Sequence, residues 1–409
     1  MILLKLTLLS LWNRRSSVLL TILAIAISIA LLLGVDYIRK EAKASFLSTI
    51  SGTDLVVGAR SGSVQLLLYS VFRIGNATNN ISWKSYQELA ANPQIAWTIP
   101  LSLGDSHRGF RVLGTNQDYF RYYRFGDKRT LEFAQGQAFA GVFDTVLGAE
   151  VSRKLGYQLG DKIVIAHGTS TVSTALHADK PFTVTGILKP TGTPLDRTVH
   201  ITLEGLEAVH IDWVAGTKIS GYSISAEEAV KKNLQPKLIT AFLLGLKTRT
   251  TAFQVQREIN HYKREPLLAI LPGVALADLW QALGLFETVL RIISGFVVIA
   301  GLVGMLTTVL STLNERRREM AILRAVGAHP YHILLLFILE ALVLTLVGCL
   351  LGMLLVSVLV WTAQPWVIAE YGFYLRTWLP DSSSLGLITL VASLALILSL
   401  LPGTIAYRR

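Results

Sequence analysis

Four long apolar stretches constrain this 409-residue chain more than any other feature, because an ordinary soluble core cannot absorb them. Ser17 to Val35 carries no charge and is long enough to cross the hydrocarbon core of a bilayer. The next comparable stretch runs from Val289 to Leu313, with Arg291 near one end where its side chain can reach the interface. A third covers Ile333 to Trp361 and a fourth Leu385 to Leu401. Composition agrees: 52% of residues are hydrophobic and 16% charged, against roughly 25% charged in soluble proteins. A secretory signal would have a shorter apolar region ending at a small-residue cleavage site. Here Ala24-Ile25-Ala26 is followed by Leu31-Leu32-Leu33, so the first stretch reads as an uncleaved anchor. The single cysteine, Cys349, lies in an apolar stretch, so no intrachain disulfide forms.

The expected fold is an α-helical membrane protein with four transmembrane helices. A large α/β plus β extracytoplasmic domain is inserted between helices 1 and 2. Residues 1–16 are expected as a cytoplasmic amphipathic segment anchored by Trp12, and 17–38 as the first transmembrane helix. Residues 39–284 form the outside domain, and 285–313 the second helix with its stalk. Residues 314–332 are a cytoplasmic helix and 333–361 the third transmembrane helix. An outside loop (362–384), a fourth helix (385–403) and a cytoplasmic tail (404–409) complete the chain. Orientation follows the positive-inside rule: Lys5, Arg14, Arg15, Arg316, Arg317, Arg318, Arg324, Arg408 and Arg409 share one side. Arg39, Lys40 and Lys43 oppose this, partly offset by Asp36 and Glu41. Both termini are therefore placed in the cytoplasm. The +11 net charge is absorbed by this topology, and no nucleic-acid partner is expected.

Within the outside domain, strands are expected at Asp54–Gly58, Trp97–Ser102, Gly109–Gly114, Ala241–Leu246 and Leu267–Leu271. Helices are expected after the N-cap Ser82 and over Thr251–Tyr262. These suggest one mixed α/β module from 39–124 and 216–284. Short strands around Gly156–Ile165 and Phe182–Leu188 suggest a β-rich insert over 125–215.

No catalytic motif survives inspection. Gly156 to Lys162 has the wrong glycine spacing for a phosphate-binding loop, and Ile163 stands where the hydroxyl is needed. Nucleophile-elbow and zinc-protease patterns are absent. The chain is therefore not expected to be an enzyme or to hold a cofactor of its own. Six histidines lie outside the membrane, at 107, 167, 177, 200, 210 and 261, and their spacings match no closed zinc motif. No metal is expected; were there one, His167, His177 and Asp179 are the first ligands to test. The apolar run Val64 to Phe72 is either domain core or a contact for lipid, cargo or a partner, through Leu66, Leu67, Leu68, Tyr69 and Phe72.

Two further features sit in the membrane half. Gly348 and Gly352 form a small-xxx-small pair that lets helix backbones approach closely. Glu340 is a carboxylate inside an apolar helix, costly unless paired or near water. Between the second and third spans lies a short charged helix. Met320, Leu323 and Val326 share its face, Gly327 suits its C-terminal cap, and Pro330 forbids simple continuation. An apolar stripe on a capped, charged helix points to docking on a partner at the membrane surface.

The stretch Asn314-Glu315-Arg316-Arg317-Arg318-Glu319-Met320-Ala321-Ile322-Leu323-Arg324-Ala325-Val326-Gly327-Ala328 resembles the N-E-R-x-R-E-[IM]-A-[IL]-x-R-A-[VI]-G-A signature of MacB-like (FtsX-type) ABC transporter permeases. Phe337 to Leu342 is similar to that family's F-x-x-E-A-x start of the third span, and Leu155 to Ile163 to its L-G-x-x-x-G-D-x-I. The layout of one span, a large outside domain and three spans is also the family's. Because the chain opens at the first span, the likeness is to stand-alone permeases whose ATPase is a separate subunit. The resemblance implies a bacterial inner-membrane subunit working as a homodimer or heterodimer. ATP and Mg would be bound by the partner ATPase, and a periplasmic adaptor or substrate-binding protein would be a further partner. Asn314, Glu315, Arg316, Arg317, Arg318, Glu319, Arg324, Gly327 and Pro330 would form the ATPase-coupling element, with Glu340 paired locally. ATP-driven movement would pass to the outside domain and act on periplasmic or outer-leaflet cargo for efflux or release. Alternatives are an ATPase-controlled scaffold regulating an outside enzyme, or a solute path through the helices themselves.

Overall fold

The computed structural model describes residues 2–168, 176–214, 217–218, 224–311, 321–322, 324–371 and 376–408. Asn314, Glu315, Arg316, Arg317, Arg318 and Glu319 lie outside the described residues. The chain divides into two compact units, Met1–Ala42 with Leu283–Trp366 and Leu375–Arg409, and Lys43–Ala282 with Val367–Tyr374.

The first unit is helical, and among the described residues of the chain four helices are long and apolar enough to cross a membrane. They run Arg15–Thr49, Pro272–Ser311, Pro330–Tyr371 and Ser382–Arg408. At 1.5 Å per residue the first two, of 35 and 40 residues, exceed a hydrocarbon core of about 30 Å by well over a third. Each is therefore longer than a single crossing requires.

The observed ends differ from those expected. The third helix continues through the segment read as a loop from 362, because Pro365 removes one backbone donor but leaves the flanking turns intact. The fourth runs on to Arg408 through residues read as a tail. Its start is set by Asp381, whose carboxylate accepts from the Ser384 backbone N–H at 2.9 Å. The N-terminal helix Ile2–Asn13 exposes Leu6, Leu8, Leu9 and Trp12 while burying Leu11, so it is apolar on more than one side rather than amphipathic.

Close backbone approach holds this unit together. A Cβ on Gly348 would lie 2.6 Å from Ile25 Cγ2, and one on Gly352 2.8 Å from the Ala26 carbonyl oxygen. The two glycines thus seat the third helix directly on the first. On another side of the first helix, the Ser28 hydroxyl donates to the Val297 carbonyl at 3.1 Å, beside Gly301. Ile25, Ile29, Leu33, Leu302, Met305 and Leu344 fill the shared core.

The second unit is built on one ten-stranded mixed sheet. Its strands are β1 (Leu55–Ala59), β2 (Ile95–His107), β3 (Phe110–Thr115), β4 (Phe133–Gly136) and β5 (Asp144–Leu147). They continue with β6 (Lys162–Ile163), β7 (Phe182–Leu188), β8 (Thr198–Thr202), β9 (Ala241–Leu246) and β10 (Leu267–Ile270). The spatial order is β10-β1-β9-β2-β3-β8-β5-β7-β4, with β6 paired to β7. Strands from the two ends of the domain, β1, β9 and β10, are antiparallel neighbours. The strands of 125–215 join the same sheet through the parallel pair of β8 with β3, and they carry helices of their own. The β-rich insert and the mixed module thus share one continuous sheet. Long β2 makes this possible: its first half pairs with β9 and its second with β3.

Helices α1 (Ser63–Ser70), α2 (Trp83–Ala90), α3 (Ala149–Leu155), α4 (Leu203–His210) and α5 (Ala252–Asn260) cover the sheet. Ser82 caps α2 by accepting from the Ser85 N–H at 3.2 Å. The apolar run from Val64 forms α1, and its side chains are not a contact surface. Leu66, Leu67, Tyr69 and Phe72 are all buried in the domain core, and Leu68 packs partly buried against it. Gly58 on β1 leaves room for them, since a Cβ there would meet Leu66 and Tyr69 at 2.5 Å.

Candidate metal centre

β2 and β3 lose register between Leu103 and Ser106. A bulge of this kind re-aims side chains, and here Asp105, Ser106 and His107 are all buried in succession. Ser106 then bridges Ala166, and the His177 N–H donates to the Ile165 carbonyl at 3.0 Å. These backbone pairs carry His167 and His177 to the bulge. His210, the last residue of α4, arrives from the other side; its helix is fixed at its start by the Thr202 hydroxyl, which accepts from Gly205 N–H at 2.8 Å.

The result is a cluster of Asp105, His167, His177 and His210 whose ligand atoms all lie within 4.8 Å of one another. His167 Nδ1 is 3.0 Å from His210 Nε2 and 3.3 Å from Asp105 Oδ1. His210 Nε2 is 3.4 Å from Asp105 Oδ2. His210 Nδ1 donates to the Leu206 carbonyl at 2.9 Å, which leaves its Nε2 facing the cluster. His177 is fully buried, and neither of its ring nitrogens has a hydrogen-bond partner among the described residues. Its ring lies 4.4 Å from that of Trp213, centroid to centroid. His167 and His210 are partly exposed, so the cluster opens to solvent on their side.

Electrostatics within the cluster are uneven. The Asp105 hydrogen bond holds the His167 pKa above the ordinary imidazole value. Burial, followed by the neighbouring His210, pushes that of His177 down to about 4. Four donors on one small volume, three of them imidazoles, suit a transition-metal ion.

The sequence had pointed to His167, His177 and Asp179. The first two are in the cluster; Asp179 is not among its ligand atoms. Its carboxylate instead takes a hydrogen bond from buried Lys180, 3.0 Å away, whose ammonium also meets Asp212 at 2.9 Å. Asp105 and His210 were missed as ligands because only the bulge and the end of α4 bring them in. The remaining outside histidines have other roles. His107 Nδ1 lies 2.7 Å from the Val164 carbonyl and Nε2 3.1 Å from the Tyr157 hydroxyl, while His200 is packed in the core and His261 is exposed.

At the opposite end of the sequence, the turn that closes the charged stretch has Val326 N–H bonded to Ile322 and Gly327 N–H to Arg324. Gly327 adopts φ +96°, open to glycine but strained for a side chain, and Pro330 begins the third membrane helix. Ile322, Arg324 and Val326 are exposed. Glu340 is buried in the helical unit.

Residues 18–261 match the family model for the MacB-like periplasmic core domain, and 291–409 that for the FtsX-like permease C-terminal region. A macrolide export ATP-binding/permease protein MacB of Photorhabdus laumondii is 26% identical over 364 residues, covering 85% of this chain and 50% of that protein. A lipoprotein-releasing system transmembrane protein LolC of Xylella fastidiosa is 21% identical over 228 residues, covering 55% of this chain and 49% of that protein. The chain thus spans about half the length of the curated relatives it matches. Among solved structures, the extracellular domain of the noncanonic ABC-type transporter YknZ aligns with 53% of this chain and 99% of its own, at 12% identity and a TM-score of 0.32.

Proposed function

The chain belongs to the MacB/FtsX-like family of ABC transporter permeases, and from that premise we propose that it transmits force from a separate ATPase to its outside domain. The observation carrying this reading is that the first two membrane helices run unbroken well past the length a bilayer needs. A rigid rod conveys displacement at one end to the other, whereas a solute path requires polar groups along the spans. Among the described residues of the helical unit, Glu340 is the one buried carboxylate, and no lysine or arginine there is buried. This favours work done on cargo in the periplasm or outer leaflet over passage between the helices. The named relatives act in macrolide export and lipoprotein release, so the cargo classes to examine first are amphipathic small molecules and lipidated proteins.

The ATPase would dock on the element from Asn314 to Pro330 on the cytoplasmic side. Exposed Ile322 and Val326 offer it apolar contact, and Glu315 with Arg316 to Arg318 offer charge. ATP and Mg would reside in that partner, and two permease copies would complete the assembly. Reversing Arg316, Arg317 and Arg318 to Glu together is expected to abolish co-purification of the ATPase while membrane insertion persists. Undiminished co-purification would remove the docking role.

A further inference from the structure

We propose that the outside domain carries a binding site for a divalent transition-metal ion of the Zn2+ class, with Asp105, His167, His177 and His210 as its four protein ligands. The atoms are already spaced for it. Tetrahedral coordination at Zn–N and Zn–O lengths of about 2.0–2.1 Å places neighbouring ligand atoms roughly 3.3 Å apart. His167 Nδ1 and His210 Nε2 lie 3.0 Å apart, and they stand 3.3 Å from Asp105 Oδ1 and 3.4 Å from Asp105 Oδ2 respectively, with all four ligand atoms within 4.8 Å of one another.

The hydrogen bonds leave a cation-shaped need. His210 Nδ1 is committed to the Leu206 carbonyl, so its Nε2 is the nitrogen that faces Asp105 Oδ2 and His167 Nδ1. That oxygen is buried and has no hydrogen-bond donor. His177 makes the stronger case. A fully buried imidazole with both nitrogens unpartnered among the described residues is a costly arrangement, and a metal bond would satisfy one of them.

Three imidazoles select a borderline-soft ion and disfavour Ca2+ or Mg2+, which take mainly oxygen. The partly exposed rings of His167 and His210 give the ion an entry path, and Trp213 covers the His177 side. Bound there, the ion would staple the β2 bulge, His167, His177 and the end of α4 to one another.

The test uses the full chain in detergent, stripped with a chelator and titrated with Zn2+ and, separately, with Co2+. One ion per chain should bind, Co2+ should give the intense visible bands of four-coordinate N/O ligation, and Zn2+ should raise the melting temperature. His177→Ala and Asp105→Asn should each weaken Zn2+ binding by roughly 100-fold or more, while His261→Ala leaves it unchanged. Because a variant can fail through misfolding, the Co2+ spectrum of the unaltered chain stands as an independent reading. No Zn2+ binding, a weak six-coordinate Co2+ spectrum, or unaltered binding in folded His177→Ala would each overturn the site. None of these outcomes bears on ATPase docking, which is measured without added metal.

Discussion

His200 is wholly enclosed, with the rings of Tyr119 and Phe120 5.2 and 5.9 Å from its own. Its Nδ1 donates to the Val146 carbonyl at 3.2 Å, while its Nε2 has no partner. Burial, reinforced by the charge of Arg73, pushes its pKa down to about 3. In the unfolded chain the same imidazole takes its proton near pH 6.5. Below that value the unfolded state binds a proton that the folded state refuses, so stability is lost as pH falls from about 6.5 toward 3. Near pH 5 the loss is about 2 kcal/mol. His200→Asn keeps a donor for Val146 and does not titrate. Melting of the detergent-solubilised chain near pH 7.5 and near pH 5 should therefore show a smaller acid-induced drop in the variant, by that amount. Equal drops in the two proteins would mean that His200 is not held neutral. Comparing differences cancels the shared titration of other groups, including Asp196, whose raised pKa acts in the opposite sense.

Among elements, the contact of the third membrane helix with the first is the most demanding sterically. Gly352→Leu would drive its side chain into the Ala26 carbonyl and Ile29, both 2.8 Å from an ideal Cβ. Overpacking of this kind costs about 1–3 kcal/mol and should lower the melting temperature, whereas Gly304→Ala, with nothing within 4 Å, should be silent. Identical melting of the two variants would remove Gly352 from the packing. That pair was legible in the sequence because small residues four apart on an apolar helix have one common use. Gly327 was legible for a similar reason: a cap needs a residue that tolerates positive φ. The run Val64 to Phe72 left two options because its periodicity is that of a short buried helix, which sequence alone cannot separate from an apolar surface loop. The metal cluster was half legible. His167 and His177 lie near each other in the chain, but Asp105 and His210 reach them only through long-range pairing and a register shift that leave no local signal.

Over the whole molecule, orientation in the membrane rests on charge, and two of the three opposing residues after the first span, Arg39 and Lys40, are held in ion pairs. Arg39 lies 2.9 Å from Asp36 and 3.7 Å from Glu287, and Lys40 lies 2.6 Å from Asp36 and 2.7 Å from Asp381. The positive-inside rule counts basic residues, and Lys5, Arg14, Arg15 and the arginines around residue 317 outnumber those after the first span and set the topology. Both termini and the turn ending at Gly327 should then face the cytoplasm, with the sheet domain outside. The chain's composition makes this simple to read, because its only cysteine, Cys349, is buried among the membrane helices. Phe253 on α5 is 70% exposed and Val326 is 84% exposed, so a cysteine at either position would be open to a reagent on its own side. A membrane-impermeant maleimide applied to intact spheroplasts should label Phe253→Cys at once and Val326→Cys only after lysis. The reverse pattern would invert the protein in the bilayer and separate the proposed docking element from any cytoplasmic ATPase. Labelling of both positions in intact spheroplasts would require an odd number of crossings between residues 326 and 253 to be abandoned, and with it the assignment of Pro272–Ser311 as a full span.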